Sequence, residues 1–398
     1  MTRLRTLEDL DLATLAGRRV FVRVDFNVPL EGGQVMDATR LEESLPTIRE
    51  LRAAGARLLL ASHCGRPKGK PDPKYSLRPV ADKLAELLGA PVAFAADCVG
   101  EPATRAAAAL ANGGVLLLEN LRYHAGEEKN DPALASALAA LAEAYVDDAF
   151  GSAHRAHASV VGVPERMERK AAGRLMVREV EALGRLLANP EKPFAALLGG
   201  AKIADKIETL ENLLPRLDLL LVGGGMANTF LAAQGLDLKA SLVERESLEI
   251  AREILSRAAA RGIEVVLPSD LVATDDLANP TRIETVPATA VPDGLKAVDV
   301  GPATRKSFAA AISRARTLFW NGPLGVFEKP PFDAGTREVA AAIGAAHAFT
   351  VAGGGETVAA ARQAGVLGRL GHVSTGGGAS LEFLAGKTLP GVAVLERA

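Results

Sequence analysis

Short runs that are almost wholly apolar, Leu58-Leu59-Leu60 and Val115-Leu116-Leu117-Leu118 among them, recur along the chain with helical stretches between them. A strand without a polar face must be covered on both sides, and such strands separated by helices build a parallel sheet with helices on both faces. The pattern occurs twice. It predicts strands near 19–25, 57–62, 91–95, 114–119 and 144–148, with helices near 39–54, 77–88, 101–111 and 131–142. It resumes with strands near 194–199, 217–222, 263–267, 317–320, 347–352 and 371–373, and helices near 203–213, 226–234, 244–261, 303–314, 334–344 and 356–364. Between the two series lies a charged stretch from Glu165 to Leu187, which lacks Pro, Ser and Gly richness and reads as an interdomain helix rather than a flexible linker.

A length of 398 residues suits two or three domains, and with aromatic residues at only 4% their cores must be aliphatic. The net charge of -2 gives no global pull toward nucleic acid or an anionic membrane, so basic residues that matter must be clustered locally. Cys64 and Cys98 lack CxxC spacing, which argues against a disulfide framework or a zinc site. Met1 to Asp11 is charged and carries no apolar signal segment, and no charge-free apolar run approaches about 18 residues. The expectation is a soluble, cytoplasmic protein.

The strand ends carry the chemistry. Val20, Val22 and Val24 alternate with Phe21 and Arg23, and Pro29 cannot continue a central strand, so Asp25 and Asn27 fall where a strand meets a loop. Asp and Asn also end strands as ordinary turn residues. The other strand ends decide between these readings. Arg40 opens the following helix; the second strand ends in Ser62-His-Cys-Gly-Arg-Pro-Lys-Gly69, the fourth in Glu119-Asn-Leu-Arg-Tyr-His124, the fifth in Asp147-Asp-Ala-Phe-Gly-Ser-Ala-His-Arg-Ala-His157. In a parallel sheet these ends converge on one edge. They make a basic surface of Arg40, His63, Arg66, Arg122 and Arg155, with His154 and His157 close by, suited to a small, highly charged anion that guanidinium groups grip in bidentate fashion. A single Arg is usually a solvated charge; five cationic groups on four converging strand ends are not. His154 and His157 lack a third ligand for a metal.

The second series ends its strands in glycine: Leu198-Gly-Gly-Ala-Lys202, Val222-Gly-Gly-Gly-Met226, Trp320-Asn-Gly-Pro-Leu-Gly325, Ala352-Gly-Gly-Gly-Glu-Thr357 and Thr375-Gly-Gly-Gly378. Glycine lets a ligand approach backbone N–H groups, and a helix start directly after it attracts phosphate. One such turn is a weak signal, since tight strand–helix turns use glycine too; five on one sheet edge indicate a nucleotide site. Lys202 and Lys206, expected four apart at the start of a helix, would repel each other and oppose the helix dipole, which a phosphate bound between them would relieve. Two decoys fail. Gly386-Lys-Thr388 ends like a P-loop, but Leu381 stands where that motif needs Gly, and Asp148-Ala-Phe-Gly151 has no catalytic loop of the protein-kinase type beside it.

These residues resemble the phosphoglycerate kinase family, over essentially the whole chain and in order. The likeness is carried by Arg23-Val-Asp-Phe-Asn-Val-Pro29, Ser62 to Gly69, Glu119 to His124 with Gly126-Glu-Glu-Lys-Asn130, Asp148 to His157, Gly199-Gly-Ala-Lys-Ile-Ala-Asp-Lys206, Asn321-Gly-Pro-Leu-Gly-Val-Phe-Glu328 and Ser374-Thr-Gly-Gly-Gly-Ala-Ser380. The resemblance implies an α/β fold of two Rossmann-like three-layer α/β/α domains with parallel sheets, joined by a hinge helix. It implies a 3-phosphoglycerate-binding domain over 1–165, an interdomain helix over 166–188, a nucleotide-binding domain over 189–380, and a C-terminal segment, 381–398, returning to the first domain. The activity implied is reversible phosphoryl transfer from 1,3-bisphosphoglycerate to ADP, giving 3-phosphoglycerate and ATP, with Mg²⁺, by a cytoplasmic monomer that binds neither nucleic acid nor membrane.

By the same resemblance the acid substrate is held by Asp25, Asn27, Arg40, His63, Arg66, Arg122 and Arg155. The nucleotide is held by Gly200, Ala201, Lys206, Gly224, Asn321, Glu328 (on the ribose hydroxyls), Gly354, Gly355, Glu356 and Thr357, and the transferring phosphoryl by Arg40, Lys202 and the backbone at Gly354 and Gly377. Glu356 stands where the family usually has an Asp that contacts magnesium; the longer side chain reaches the metal directly, through a water or after a small backbone shift. Cys64 and Asp147 also replace more usual residues, Leu and Asn. The expected mechanism is in-line transfer helped by positioning and electrostatics, with hinge closure to bring the substrates together and exclude water. Two other readings are a nicotinamide-dependent dehydrogenase, against which stands the lack of a GxGxxG after an early strand, and a non-catalytic nucleotide-binding relative, against which stand intact Arg40, Lys202, Lys206 and Glu328.

Overall fold

Arg19–Val24 (β1), Arg57–Ala61 (β2), Val92–Ala95 (β3), Val115–Leu118 (β4), Ala144–Asp148 (β5) and Lys170–Ala172 (β6) form one sheet in the order β3-β4-β2-β1-β5-β6, every pair parallel. The structure is a computed structural model and describes residues 3–397. Val20, Val22 and Val24 point to one side of β1, into a core that includes Ile48, Leu51, Leu58, Leu60 and Val146. Phe21 points to the other side and stacks on Tyr145, ring centroids 5.9 Å apart. Helices Thr39–Ala53 (α1), Arg78–Leu88 (α2), Gly100–Ala109 (α3) and Pro132–Ala139 (α4) connect the strands. Local chemistry explains α2 well: Pro79 sits in its first turn, Gly89 ends it with φ +61°, and Val80, Ala81 and Leu84 are its buried stripe.

The second sheet comprises Phe194–Leu198 (β7), Leu219–Val222 (β8), Glu264–Val266 (β9), Thr317–Asn321 (β13), Phe349–Ala352 (β14) and His372–Val373 (β15), in the order β9-β8-β7-β13-β14-β15 and again all parallel. A separate antiparallel sheet of Asp270–Thr274 (β10), Ile283–Pro287 (β11) and Lys296–Val300 (β12), in the order β11-β10-β12, covers its own small core around Leu271, Val286, Val291 and Leu295. Helices Ile207–Leu213 (α6), Gly224–Ala233 (α7), Leu248–Ala260 (α8), Pro302–Arg314 (α9), Ala334–Ala345 (α10), Gly355–Gln363 (α11) and Gly378–Leu384 (α12) complete this half.

The chain divides into two compact units, the first formed by residues up to Glu181 with those from Thr388 onward, the second by Ala182–Lys387. The first boundary falls inside helix Arg174–Ala188 (α5). The chain end lies in the first unit, with Arg5 N donating to Leu395 O at 2.9 Å and Gly391 N to Ala153 O at 2.8 Å.

Three expectations need correction. The charged stretch from Glu165 is not one helix, because Lys170–Ala172 pairs with Tyr145–Asp147 as an edge strand and α5 begins only at Arg174. That start is set from outside the segment: Asp148 Oδ1 accepts from Leu175 N at 2.8 Å and Met176 N at 3.3 Å. The sheet β10–β12 is new, since its polar and apolar residues are too mixed to announce a buried strand. The helix expected over 203–213 begins at Ile207, so Lys202 lies in the preceding loop and Lys206 at the cap. Ala204–Lys206 form a short 3-10 turn ahead of it, and Glu244, a buried carboxylate distant in sequence, accepts from Ile203 N at 2.8 Å and fixes the chain where that turn begins.

Candidate active site

In the first sheet the strand order reverses beside β1, whose neighbours are β2 and β5. Ligands of open α/β sheets bind at such switch points, outside the carboxyl ends of the strands. The loops after β1, β2, β4 and β5 meet here, tied by buried side chains. Asn120 donates to Cys64 O at 2.7 Å and Tyr75 O at 2.9 Å and accepts from Cys64 N at 3.1 Å, and Glu119 accepts from Leu77 N at 2.8 Å.

Asp25 is 7% exposed and paired with Arg40. Burial works against its charge, but Arg40, His63 and Arg23 outweigh that and hold the carboxyl below its usual range. Asp25 therefore aims Arg40 as well as facing the loop. Asn27 Oδ1 accepts from Gly65 N at 2.9 Å, so it is the amide NH₂ of Asn27 that remains to meet a ligand. Arg122 is buried and donates to Gly65 O at 2.7 Å, with Glu128 at 3.2 Å from its Nε. Arg155 is half-buried, its Nε 3.1 Å from His154 Nε2, and Arg66 is exposed.

The fully buried Arg23 was not among the candidate residues, because its place in the strand hid it. It donates to Ser159 Oγ at 2.8 Å and lies 3.2 Å from His63 Nδ1. A guanidinium only donates, so Nδ1 is the acceptor and His63 is neutral, with its proton on Nε2. Burial, with Arg23, Arg122 and Arg155 nearby, pushes the His63 pKa well below its ordinary value. His63 is thus not one of the cations; the positive charge comes from Arg23, Arg40, Arg66, Arg122 and Arg155. His157 is likewise neutral, its pKa lowered to about 3 by burial and then by Arg23. Near α3, Asp97, Cys98 and His124 bring three ligand atoms within 4.8 Å, but His124 Nε2 is bonded to Asp97 Oδ1 at 2.6 Å and Cys98 is buried, so they are satisfied without an ion.

In the second unit the strand order reverses between β7 and β13. The two loops that follow interlock. Gly199 N donates to Asn321 O at 2.9 Å and Gly200 N to Pro323 O at 2.7 Å. A Cβ on Gly199 would lie 2.1 Å from Pro323 O, so this glycine is required by backbone packing alone. Gly354 differs: its φ of +94° excludes most side chains, and it precedes α11, whose start no side chain caps. A Cβ on Gly355 would meet nothing within 4 Å, leaving room for a ligand at that helix start. Asn321 and Thr357, both buried, brace these turns, Asn321 Nδ2 donating to Gly353 O at 2.7 Å and Thr357 Oγ1 accepting from Gly322 N at 2.7 Å.

A cleft of about 260 Å³ opens at this edge, lined by Gly200, Ala201, Gly224, Leu324, Glu328 and Glu356 among others. Lys206, half-buried beside it, has its pKa lowered by burial, opposed by Asp205 and Glu356. Lys202 is exposed, and Gly377 precedes α12 with φ +54°. Glu356 is exposed in the first turn of α11 and offers hard carboxylate oxygens, a donor that suits Mg²⁺ completed by phosphate oxygens and water.

A family model described as Phosphoglycerate kinase matches residues 7–387. A phosphoglycerate kinase of Desulforudis audaxviator is 56% identical over 393 residues, covering 98% of this chain and 99% of that protein. One of Thermus thermophilus is 57% identical over 396 residues, covering 99% of this chain and 100% of that protein. The solved structure of phosphoglycerate kinase from Coxiella burnetii superposes with a TM-score of 0.89 at 39% identity, covering 99% of each chain.

Proposed function

The chain belongs to the phosphoglycerate kinase family and carries out the glycolytic phosphoryl transfer between 1,3-bisphosphoglycerate and ADP; from that premise we propose that its two switch points divide the work. The first unit takes the acid substrate, the second the nucleotide. The observation behind this reading is the contrast between the two sheet edges, one rimmed by Arg23, Arg40, Arg66, Arg122 and Arg155, the other by glycine turns around a cleft. The glycerate end meets Asp25, Asn27 and the neutral His63, and its phosphate meets Arg66, Arg122 and Arg155. The nucleotide meets Gly200, Ala201, Lys206, Gly224 and Glu328, with its phosphates toward the Gly354–Thr357 turn.

The acceptor in the ATP-consuming direction is a carboxylate, with an ordinary pKa near 4 that leaves it ionised at neutral pH. No general base is needed, and the neutral, buried His63 fits a hydrogen-bond donor better than a base. Catalysis then rests on alignment and on charge stabilisation by Arg40, Lys202 and the backbone at Gly354 and Gly377. Asp25 keeps Arg40 oriented through their ion pair. Glu356 would hold Mg²⁺, which when bound neutralises charge on the phosphates. Because acid and nucleotide are held by different units, turnover includes their approach, and the working form proposed is a cytoplasmic monomer. Among the described residues no helix is long and apolar enough to cross a membrane.

Calorimetry tests the division. Arg122→Ala should weaken 3-phosphoglycerate binding and spare ATP, and Glu328→Ala should do the reverse. If either variant weakens both ligands equally, the assignment fails. Sedimentation velocity tests the monomer.

A further inference from the structure

Asp299 has no part in the scheme above, yet it is only 3% exposed and lies on the cleft wall at the end of β12. Its Oδ2 accepts from Gly335 N in the first turn of α10 at 2.7 Å, and its Oδ1 from Val300 N at 2.8 Å. Two glycines close against the carboxylate: a Cβ on Gly325 would lie 2.3 Å from Oδ1, and one on Gly335 2.2 Å from it. Gly325 belongs to the segment that runs from Asn321 to Glu328. The same segment is held at two further points, Val326 N donating to Val298 O at 3.0 Å and Leu324 N to Thr336 Oγ1 at 2.9 Å. So β12 and α10 grip this loop together, and Asp299 is bonded to α10 while packed on Gly325.

We propose that Asp299 is a positioning residue for the nucleotide, fixing the 321–328 segment so that Leu324 and Glu328 stand at the spacing the adenosine moiety requires. The proposal rests on the nucleotide reading of this cleft. A carboxylate that only capped α10 would matter for stability and not for one ligand over the other.

The carboxyl's charge adds a second signature. Burial pushes its pKa up to about 7, with Arg305 of α9 pulling it down and Asp333 pushing it up. Glu338 pairs with Arg305 at 2.7 Å, and Lys296, Glu328 and Glu356 line the cleft; none of these is a histidine, the side chain that ordinarily titrates near neutrality. Only the ionised form accepts fully from both Gly335 N and Val300 N, so the grip weakens as pH falls through 7.

The test is steady-state kinetics on the full-length Asp299→Asn and Gly325→Ala variants, with ATP and 3-phosphoglycerate varied separately at pH 6, 7 and 8. The expected result is an ATP KM raised by about fivefold or more in both variants, with kcat and the 3-phosphoglycerate KM within about twofold of the parent. In the parent the ATP KM should rise between pH 8 and pH 6, and Asp299→Asn should abolish that slope. An unchanged ATP KM, or equal rises in both KM values, would overturn the proposal, and if Asp299→Asn does not fold, Gly325→Ala decides. Failure of the parent itself to bind ATP would instead count against the nucleotide reading on which the proposal stands.

Discussion

Replacing Asp147 by Asn should stabilise the first unit above pH 7 and do little at pH 5. Asp147 is wholly buried near the end of β5. Its Oδ1 accepts from Ala149 N at 2.9 Å, and its Oδ2 lies 3.3 Å from Tyr145 Oη, whose single proton also has Ser159 O within 2.9 Å. With that proton on the nearer Ser159 O, Oδ2 and Oη meet as two acceptors unless Asp147 carries a proton. Burial raises its pKa to about 7 despite the attraction of Arg23.

An unfolded Asp has a pKa near 3.9, so between about pH 4 and pH 7 the native state holds a proton that the unfolded state has lost. Stability then falls as pH rises through that window, and the contribution is gone above it. Three units correspond to about 4 kcal/mol, of which about 3 kcal/mol falls between pH 5 and pH 8. Asn keeps the acceptor for Ala149 N and offers Tyr145 Oη a donor, so its curve should lack this slope. Allowing for the lost attraction of Arg23, the advantage of Asp147→Asn should widen by about 2 kcal/mol from pH 5 to pH 8. The three tyrosines, Tyr75, Tyr123 and Tyr145, all lie in the first unit and the single tryptophan, Trp320, in the second. Urea unfolding followed by tyrosine signals at both pH values should show the widening, and the Trp320 signal should not. A pH-independent difference, or a variant less stable at pH 8, would refute the reasoning.

Arg40→Ala and Lys202→Ala should each lower kcat by about 10²-fold or more while circular dichroism stays that of the parent; near-normal turnover in either would remove that residue from the mechanism. Glu356→Ala should raise the magnesium concentration needed for half-maximal rate, and an unchanged titration would exclude it from the metal site. His63 should remain a neutral imidazole protonated at Nε2 at pH 6, which ¹⁵N NMR reads directly; an imidazolium signal there would contradict its bond to Arg23.

The two parallel sheets were legible because strands such as Val115–Leu118 are apolar on both faces, and burial of that kind leaves its mark on every residue in a run. The positions of Asp25 and Arg122 just past strand ends followed from the same periodicity, whereas Glu328 was marked only by the family resemblance. What the linear order could not carry were groups whose state depends on a distant partner. His63 read as a cation and is neutral, because it is buried and Arg23 and two further arginines lie near it. Lys202 read as helical and lies in a loop, ahead of a short 3-10 turn at Ala204–Lys206 whose leading N–H groups are fixed by the distant carboxylate of Glu244. Lys170–Ala172 read as helix and is a strand, because β5 offers it an open edge. Gly199 and Gly354 look alike in sequence, yet one is demanded by Pro323 O and the other by its own backbone angle. Apolar periodicity is local and so determined the layers, whereas charge, capping and close approach arise between residues far apart in the chain, and only the tertiary structure decided them.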